Sequence, residues 1–236
     1  MSVGATFLSG LLRCLASIRF VSDLNGAATL GLRERKKQRT RATLIDAAVE
    51  LCDRQGFDRT TVDQIAAIAD VSPRTFSRYF ATKDAIALAL ADEVLDRTAV
   101  ELARQPRELN HFDALLKAYL AMANAAKVAT AGELSAERVM CIVRIILSSP
   151  ALRQAALEYR ANSLDVELAN RMGASVDDRG PKLVSAVGGT VLMTALTGLA
   201  AETQDWSQLS IDDVAESLER TFAEFSGLTA ANRQAV

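Results

Sequence analysis

Residues that build catalytic and metal sites are scarce in this chain of 236 residues, which contains one histidine and three cysteines. No two of these four residues lie near each other in sequence, whereas the ligands of a zinc site are normally clustered. Acid and base catalysis by histidine would rest on a single side chain. The sequence therefore predicts no catalytic residue, no cofactor and no metal site, although a site built from carboxylates alone stays open. The four residues are His111, Cys14, Cys52 and Cys141.

Signals for secretion or membrane insertion are also weak. The cysteines follow no disulfide pattern, which favours a reducing cytoplasm. No run of 18 or more residues is both uncharged and apolar throughout, so we expect no membrane span and no membrane partner. Arg13 and Arg19 interrupt the apolar stretch at residues 7–20, which makes a poor signal peptide. We interpret residues 1–32 as a flexible N-terminal extension, with a weak amphipathic helix at a membrane surface as the alternative.

Charge is distributed unevenly along the chain. The formal net charge is −2, and 50% of the residues are apolar and 24% charged, as in a folded globular protein. Residues 33–83 hold eleven basic and seven acidic residues, whereas residues 84–236 hold fourteen basic and twenty-one acidic residues. The densest basic run, residues 33–41, has six positive charges and one negative charge. A basic arm beside a small helical domain suits a polyanion such as DNA.

Two helices are predicted directly after this arm. Apolar residues recur at three- and four-residue spacing over residues 41–55, which is typical of an amphipathic helix, and Gly56 ends it. Thr61 and Gln64 form a capping box at the start of the second helix.

A short third helix is predicted over residues 73–80, where a Ser-Pro pair gives a strong start signal. Phe76 and Phe80 share one of its faces, and Arg74 and Arg78 project from roughly the opposite face. An aromatic anchor below and arginines above are what reading a major groove requires, because arginine donates two hydrogen bonds to guanine. The second and third helices, joined by a tight turn, predict a helix-turn-helix.

This region resembles the DNA-binding domain of the tetracycline-repressor (TetR) family. The resemblance rests on the segments TTVDQIA at residues 60–66, VSPRTFSRYF at residues 71–80 and, most specifically, the closing pattern YFATKD at residues 79–84. It covers about a fifth of the chain, roughly residues 40–90. The resemblance implies a homodimeric one-component repressor that leaves its double-stranded DNA operator when a small molecule binds the C-terminal domain.

The resemblance also carries DNA-contacting roles onto matching positions of this chain. Phosphate contacts are implied at one helix start, at the end of the recognition helix and at the start of the fourth helix, namely Thr61, Tyr79 and Lys83. Positions that face the groove are Pro73, Arg74, Thr75, Ser77 and Arg78. Arg39 and Arg41 of the arm would reach the DNA backbone or the minor groove.

The rest of the chain is predicted to be helical. We expect an all-α protein of about nine helices, with an N-terminal three-helix helix-turn-helix domain at residues 33–83 and a C-terminal helical domain at residues 84–236 for ligand binding and dimerisation. The seventh helix is predicted over about residues 151–172. Ser135 and Ser210 are predicted to cap the sixth and the last helix.

Candidate ligand-binding and dimer residues follow from this division. The fifth to seventh helices should enclose a ligand pocket, with candidate lining residues Phe112, Tyr119, Met122, Met140, Val143 and Tyr159. Few polar groups converge there, which favours an apolar effector, and a loose similarity to regulators of fatty-acid or acyl-CoA-like effectors suggests an acyl-type compound. In the TetR family the last two helices build the dimer interface, and the resemblance implies that role for Val184, Gly188, Val191, Ala195, Gly198, Val214, Leu218 and Phe222.

The sequence therefore predicts a cytoplasmic, sequence-specific transcriptional repressor, released from its operator by a small effector. The alternative within DNA binding is a regulator without a ligand, or an activator. The alternative from a different class is a small helical enzyme or carrier.

Overall fold

The computed structural model describes residues 31–130, 133–159, 162–203 and 209–234. Within these ranges the chain forms ten α-helices and no strand, which confirms the all-α prediction. The N-terminal extension up to residue 30, including Cys14, lies outside the described residues. The helices are α1 (Leu32–Gln55), α2 (Val62–Ile68), α3 (Pro73–Tyr79), α4 (Lys83–Ala103), α5 (His111–Lys127), α6 (Ala136–Leu147), α7 (Pro150–Glu158), α8 (Ser163–Met172), α9 (Arg179–Glu202) and α10 (Ile211–Gln234).

The first helix is longer than its apolar periodicity predicts. It begins at Leu32 and takes in the whole basic run at residues 33–41, which we predicted as an arm ahead of the helix. Arginine, lysine, glutamine and glutamate have high helix propensities, so a charged run of this composition extends a helix that apolar packing has already nucleated. At the other end, Gly56 has φ +80 and stops the helix as predicted.

The two helices that follow are short and are fixed by their caps. Thr61 and Gln64 form the predicted capping box, in which the Gln64 N–H donates to Thr61 Oγ1 and the Thr61 N–H donates to Gln64 Oε1. Ser72 caps α3 by accepting from the Thr75 N–H at 3.1 Å, and proline occupies the first helical position. These caps satisfy backbone donors that helices of seven residues cannot satisfy internally.

The predicted seventh helix is two helices. α7 begins at Pro150 after the Ser149 cap, and α8 begins after Asn162, whose side chain accepts from the Asp165 N–H. Because asparagine favours the cap position, a new helix begins at that point although the apolar periodicity continues through it. The predicted caps Ser135 and Ser210 each accept a backbone hydrogen bond from the third residue of their helix.

Three apolar cores hold these helices together. The first joins α1, α2 and α3 to the start of α4 and to one face of α6. The second lies among α4, α5, α8, α9 and α10, and the third among α5, α6 and α10. Cys52 and Cys141 belong to the first core, where burial raises their thiol pKa to about 11 and about 12 respectively. α6 therefore shares an apolar core with the helix-turn-helix region, and its Arg144 also contacts Asp53 of α1.

α9 is unusually apolar. Between Lys182 and Glu202 it holds no charged residue, and of the described helices it alone is long and apolar enough to cross a membrane. Our sequence analysis expected no membrane span, since no run of 18 residues is both uncharged and apolar throughout. A central helix of a helical bundle has the same composition, and α9 packs against α10, α8, α7, α6 and α5.

Candidate nucleic-acid interface and adjoining cavity

The recognition helix α3 is anchored from below by two aromatic side chains. Phe76 and Phe80 are 1% and 4% exposed, with ring centroids 5.7 Å apart. Asp70 takes up the turn before the helix with φ +51, a left-handed conformation that aspartate tolerates better than most residues. The backbone of α3 is therefore held rigidly, and its outer face is set by packing beneath it.

Two arginines dominate that outer face. Arg74 and Arg78 are exposed, and neither forms an ion pair with any residue that the structure describes. The hydroxyls beside them are already engaged, since Ser77 Oγ donates to the Pro73 carbonyl and Thr75 Oγ1 lies 3.0 Å from Ser72 Oγ. The guanidinium groups are thus the strongest donors that this surface presents to a ligand.

Lys83 occupies a different environment. Its Nζ donates to the Phe57 carbonyl at 2.8 Å and lies 4.3 Å from the centroid of the Phe57 ring. The ammonium group therefore helps to hold the loop before α2 against the start of α4, and it keeps donors for a further acceptor. Thr61 is exposed at the N-cap of α2, and Tyr79 is half-buried at the end of α3.

The two predicted arm residues lie on α1. Both Arg39 and Arg41 are exposed, and Arg41 reaches back so that its guanidinium carbon lies 5.3 Å from the centroid of the Phe80 ring. This cation–π contact ties α1 to the end of the recognition helix.

Partly buried polar contacts connect α4 to the rest of the body. Arg138 of α6 makes a two-pronged hydrogen bond to Glu93 of α4, at 2.6 and 2.9 Å, and an ion pair with Asp46 of α1 at 3.0 Å. The hydrogen bond to Glu93 is the largest cause of a raised pKa at Arg138. Tyr159, beyond α7, donates to Asp92 of α4 at 2.7 Å. α4 is thus attached to α6 and to Tyr159 by charged and polar contacts.

A cavity of about 140 Å³ lies next to these contacts, enclosed by helices α4 to α9. Its wall is mostly aliphatic, from side chains such as Val94, Ile142 and Leu192. Tyr159 forms part of the wall and also bonds to α4. A molecule in this cavity would therefore touch a residue that holds α4 in place.

Half of the predicted ligand-binding residues line this cavity. Tyr119, Val143 and Tyr159 do so. Phe112 instead packs edge-on against Phe225, with ring centroids 5.1 Å apart, and the two methionines, Met122 and Met140, are buried in the third core. The sequence pattern shows which helix faces are apolar, but not whether an apolar residue lines a cavity or lies in a core. Here the packing of α5 against α10 separates the two groups.

Sequence reasoning missed one charged residue in the cavity wall, Asp165. It is 7% exposed and lies on the buried face of α8 with Leu164, Leu168 and Ala169. A single carboxylate on the apolar face of an amphipathic helix was the available signal, because burying an ion without a specific reason is costly.

Most of the predicted dimer residues are covered by the chain itself. Seven of the eight belong to or pack against the second and third cores, and only Gly198 is exposed. A Cβ atom on Gly188 would lie 2.9 Å from Leu115 Cδ1, so this glycine allows α9 to approach α5 within the chain. Gly188 thus serves packing within the chain, and the dimer role of these residues stays a prediction. The seven are Val184, Gly188, Val191, Ala195, Val214, Leu218 and Phe222.

The exposed helix α3, docked on the capped helix α2, forms a helix-turn-helix, the element that enters the major groove in DNA-binding proteins. The sequence model described as "Bacterial regulatory proteins, tetR family" matches residues 44–90. The HTH-type transcriptional regulator TcmR of Streptomyces glaucescens is 33% identical over 164 residues, which cover 66% of this chain and 71% of that protein. The chain belongs to the tetR family: it is a transcriptional regulator and not an enzyme.

Two further proteins resemble this chain, one over a shorter stretch and one at lower sequence identity. The HTH-type transcriptional regulator HbdR of Aromatoleum sp. (strain CIB) is 39% identical over 71 residues, 30% of this chain and 31% of that protein. Among solved structures, FadR of Thermus thermophilus, a TetR-family repressor in complex with lauroyl-CoA, is 23% identical with a TM-score of 0.48, covering 78% of this chain and 91% of that one.

Proposed function

We propose that the protein is a homodimeric repressor whose two recognition helices bind successive major grooves of a two-fold operator, and which a small molecule releases. The observation that carries this proposal is the pair of exposed arginines, neither ion-paired to a described residue, on a helix anchored by Phe76 and Phe80. Arg74 and Arg78 lie four residues apart on α3, so both point outwards from one face. Guanidinium groups held in this way suit bidentate hydrogen bonds to guanine.

The other predicted contacts would position the helix on the DNA. Lys83 and Thr61 lie at helix starts, where backbone N–H groups and a basic or hydroxyl side chain favour a phosphate. Arg39 lies on the exposed basic face of α1 and would meet the DNA backbone or the minor groove. Such contacts fix register without reading sequence.

We assign the effector to the cavity bounded by α4 to α9. An effector that pushes on Tyr159 would strain its bond to Asp92 and shift α4, which begins four residues after the recognition helix ends. Movement of α4 changes the separation of the two heads in a dimer, and operator affinity falls if the effector binds that state better. The apolar wall favours an apolar effector body.

The exposed face of α9 is our candidate for the dimer contact. Leu183 is 60% exposed, and Thr190, Thr194 and Gly198 are exposed on the same side of the helix. Both threonine hydroxyls donate to carbonyls of their own helix, so the side chains turn their methyl groups outwards. A second copy of this chain covers such an apolar face through a two-fold axis, as a palindromic operator requires. Because its ligand would be DNA and a second copy would cover the apolar face of α9, we propose that the protein acts in the cytoplasm.

Band-shift titration of the full chain with the DNA that flanks its own gene tests the proposal. We expect binding at low salt that discriminates against a scrambled duplex of the same length. Affinity should fall steeply with salt, by a logarithmic slope of about −0.9 for each phosphate neutralised. Footprinting should show two half-sites about 34 Å apart. Absence of binding at low salt would refute DNA binding by this chain.

A further inference from the structure

The cavity enclosed by α4 to α9 has one polar edge, and most of its groups are already satisfied. Ser185 Oγ donates to Asp165 Oδ1, and Tyr159 donates to Asp92. Asn162 accepts from the Asp165 N–H and donates to the Tyr159 carbonyl. These side chains use their hydrogen-bonding capacity within the protein.

Asp165 differs from these side chains, because one of its two carboxyl oxygens accepts no hydrogen bond from a described residue. Oδ2 is buried and has no hydrogen-bond partner among the described residues, while the whole residue is 7% exposed and lines the cavity. Leaving a buried acceptor unpaired costs about 1–3 kcal/mol, more for a charged group. A buried unpaired oxygen in a cavity wall needs a donor, and a molecule bound in the cavity can supply one.

Asp165 lies in the first turn of α8 and is part of the cavity wall. Tyr119 lines the same cavity, and its pKa is raised by burial and further by Asp165. The cavity therefore offers one carboxyl acceptor among mostly aliphatic side chains.

We infer that the effector is a compact apolar molecule that carries a hydrogen-bond donor, best of all an ammonium group, and that Asp165 Oδ2 accepts from it. This inference rests on the proposed function in one respect, that the cavity receives the effector. It replaces the acyl-type effector that the sequence suggested. A carboxylate head group would face a second carboxylate in a poorly solvated site, and about 140 Å³ holds a small ring more readily than a long chain.

Binding of three probes with one ring and different head groups tests the inference. Cyclohexylamine, cyclohexanol and cyclohexanecarboxylate are titrated into the full chain at pH 7 without DNA, by calorimetry. We expect the amine to bind at least about tenfold more tightly than the carboxylate, as a charge-assisted hydrogen bond implies, with the alcohol between them. Asp165→Asn should abolish the preference for the amine, because the charge is lost and the shape kept.

Asp96→Asn is the matched control. Asp96 also accepts a hydrogen bond from a serine, Ser163, but it is exposed and does not line the cavity, so this variant should keep the preference. The inference is overturned if the carboxylate binds the unmodified chain as tightly as the amine, if Asp165→Asn leaves the order unchanged, or if no probe binds. Operator release by the amine is measured separately, so that a ligand which binds without releasing DNA contradicts the proposed function and not the recognition by Asp165.

Discussion

Arg74 and Lys83 are both basic and lie nine positions apart, yet their surroundings suit them to different contacts with DNA. Arg74 is exposed on α3 with no ion pair among the described residues, whereas the Lys83 ammonium already bonds to the Phe57 carbonyl. Arg74 is therefore free to make a directional contact to a base edge. Lys83 is held in one place, which suits the contact to a DNA phosphate that we propose for it.

Arg74→Ala should reduce operator affinity by about 1–3 kcal/mol and leave binding to scrambled DNA almost unchanged, because a bidentate base contact is lost. Competition band shifts with operator and scrambled duplexes measure both quantities. Arg107→Ala is the control, since Arg107 is an exposed arginine in the loop after α4. Equal losses on both duplexes would mean that Arg74 contacts phosphate.

Lys83→Ala should weaken binding to all duplexes alike and reduce the salt slope by about 1, since one phosphate contact is lost. It should also lower the free energy of unfolding by about 1–2 kcal/mol, because the charged hydrogen bond to Phe57 disappears. Urea unfolding and salt-dependent band shifts separate the two effects. A response at a single base position would contradict the phosphate role.

At the residue scale, local signals were predictable and tertiary ones were not. The caps Thr61, Ser72 and Ser135 each depend on a neighbour three residues away, and the structure forms all three. Asp165 depends on Ser185, twenty positions later, and on a cavity that six helices enclose. No short window of sequence contains that information.

Coupling between the cavity and the DNA-binding end belongs to the scale of helices. Tyr159 lines the cavity and donates to Asp92 on α4, and Arg41 of α1 lies over Phe80 at the end of α3. Burial raises the pKa of Asp92, and the Tyr159 hydrogen bond followed by the Arg41 charge act against that rise. The first contact joins the cavity wall to α4 and the second joins α1 to the end of the recognition helix, while α1 and the start of α4 share the first apolar core.

Tyr159→Phe should therefore uncouple the two sites. It removes the hydroxyl that holds α4 and keeps the ring that lines the cavity, so cyclohexylamine should bind nearly as before while its effect on operator affinity falls severalfold. Paired titrations of the probe, with and without operator, measure this ratio. Thr98→Val is the control, because the Thr98 hydroxyl donates within α4 itself, to the Val94 carbonyl. An unchanged ratio in Tyr159→Phe would show that α4 is moved by other contacts.

Helix number and length show the same division between local and distant information. The predicted caps Ser135 and Ser210 correctly mark the starts of α6 and α10. The sequence prediction joined α7 and α8 into one helix, whereas the Asn162 cap separates them. It also began α1 too late, since a basic run has no apolar period although its residues favour a helix.

At the scale of the whole molecule, the charge division and the apolar face of α9 point to one assembly. The excess of basic residues over residues 33–83 and of acidic residues over 84–236 would orient the chain with its helix-turn-helix towards DNA and repel the body from it. Two-fold binding then needs a contact between bodies, away from the operator. α9 supplies an uncharged, exposed face for that contact.

Thr194→Glu should dissociate this dimer. Thr194 is exposed and its hydroxyl bonds to the Thr190 carbonyl, so the substitution leaves the chain's own core intact while it places an unpaired charge in the proposed interface. Sedimentation equilibrium should show monomers, and operator affinity should fall as the second half-site is lost. Deleting α10 is a poorer test, because Leu218 and Phe222 are buried in the chain's core and their loss would unfold it. Asn124→Glu, on an exposed position of α5, should remain dimeric, and a Thr194→Glu dimer as tight as this control would place the interface elsewhere.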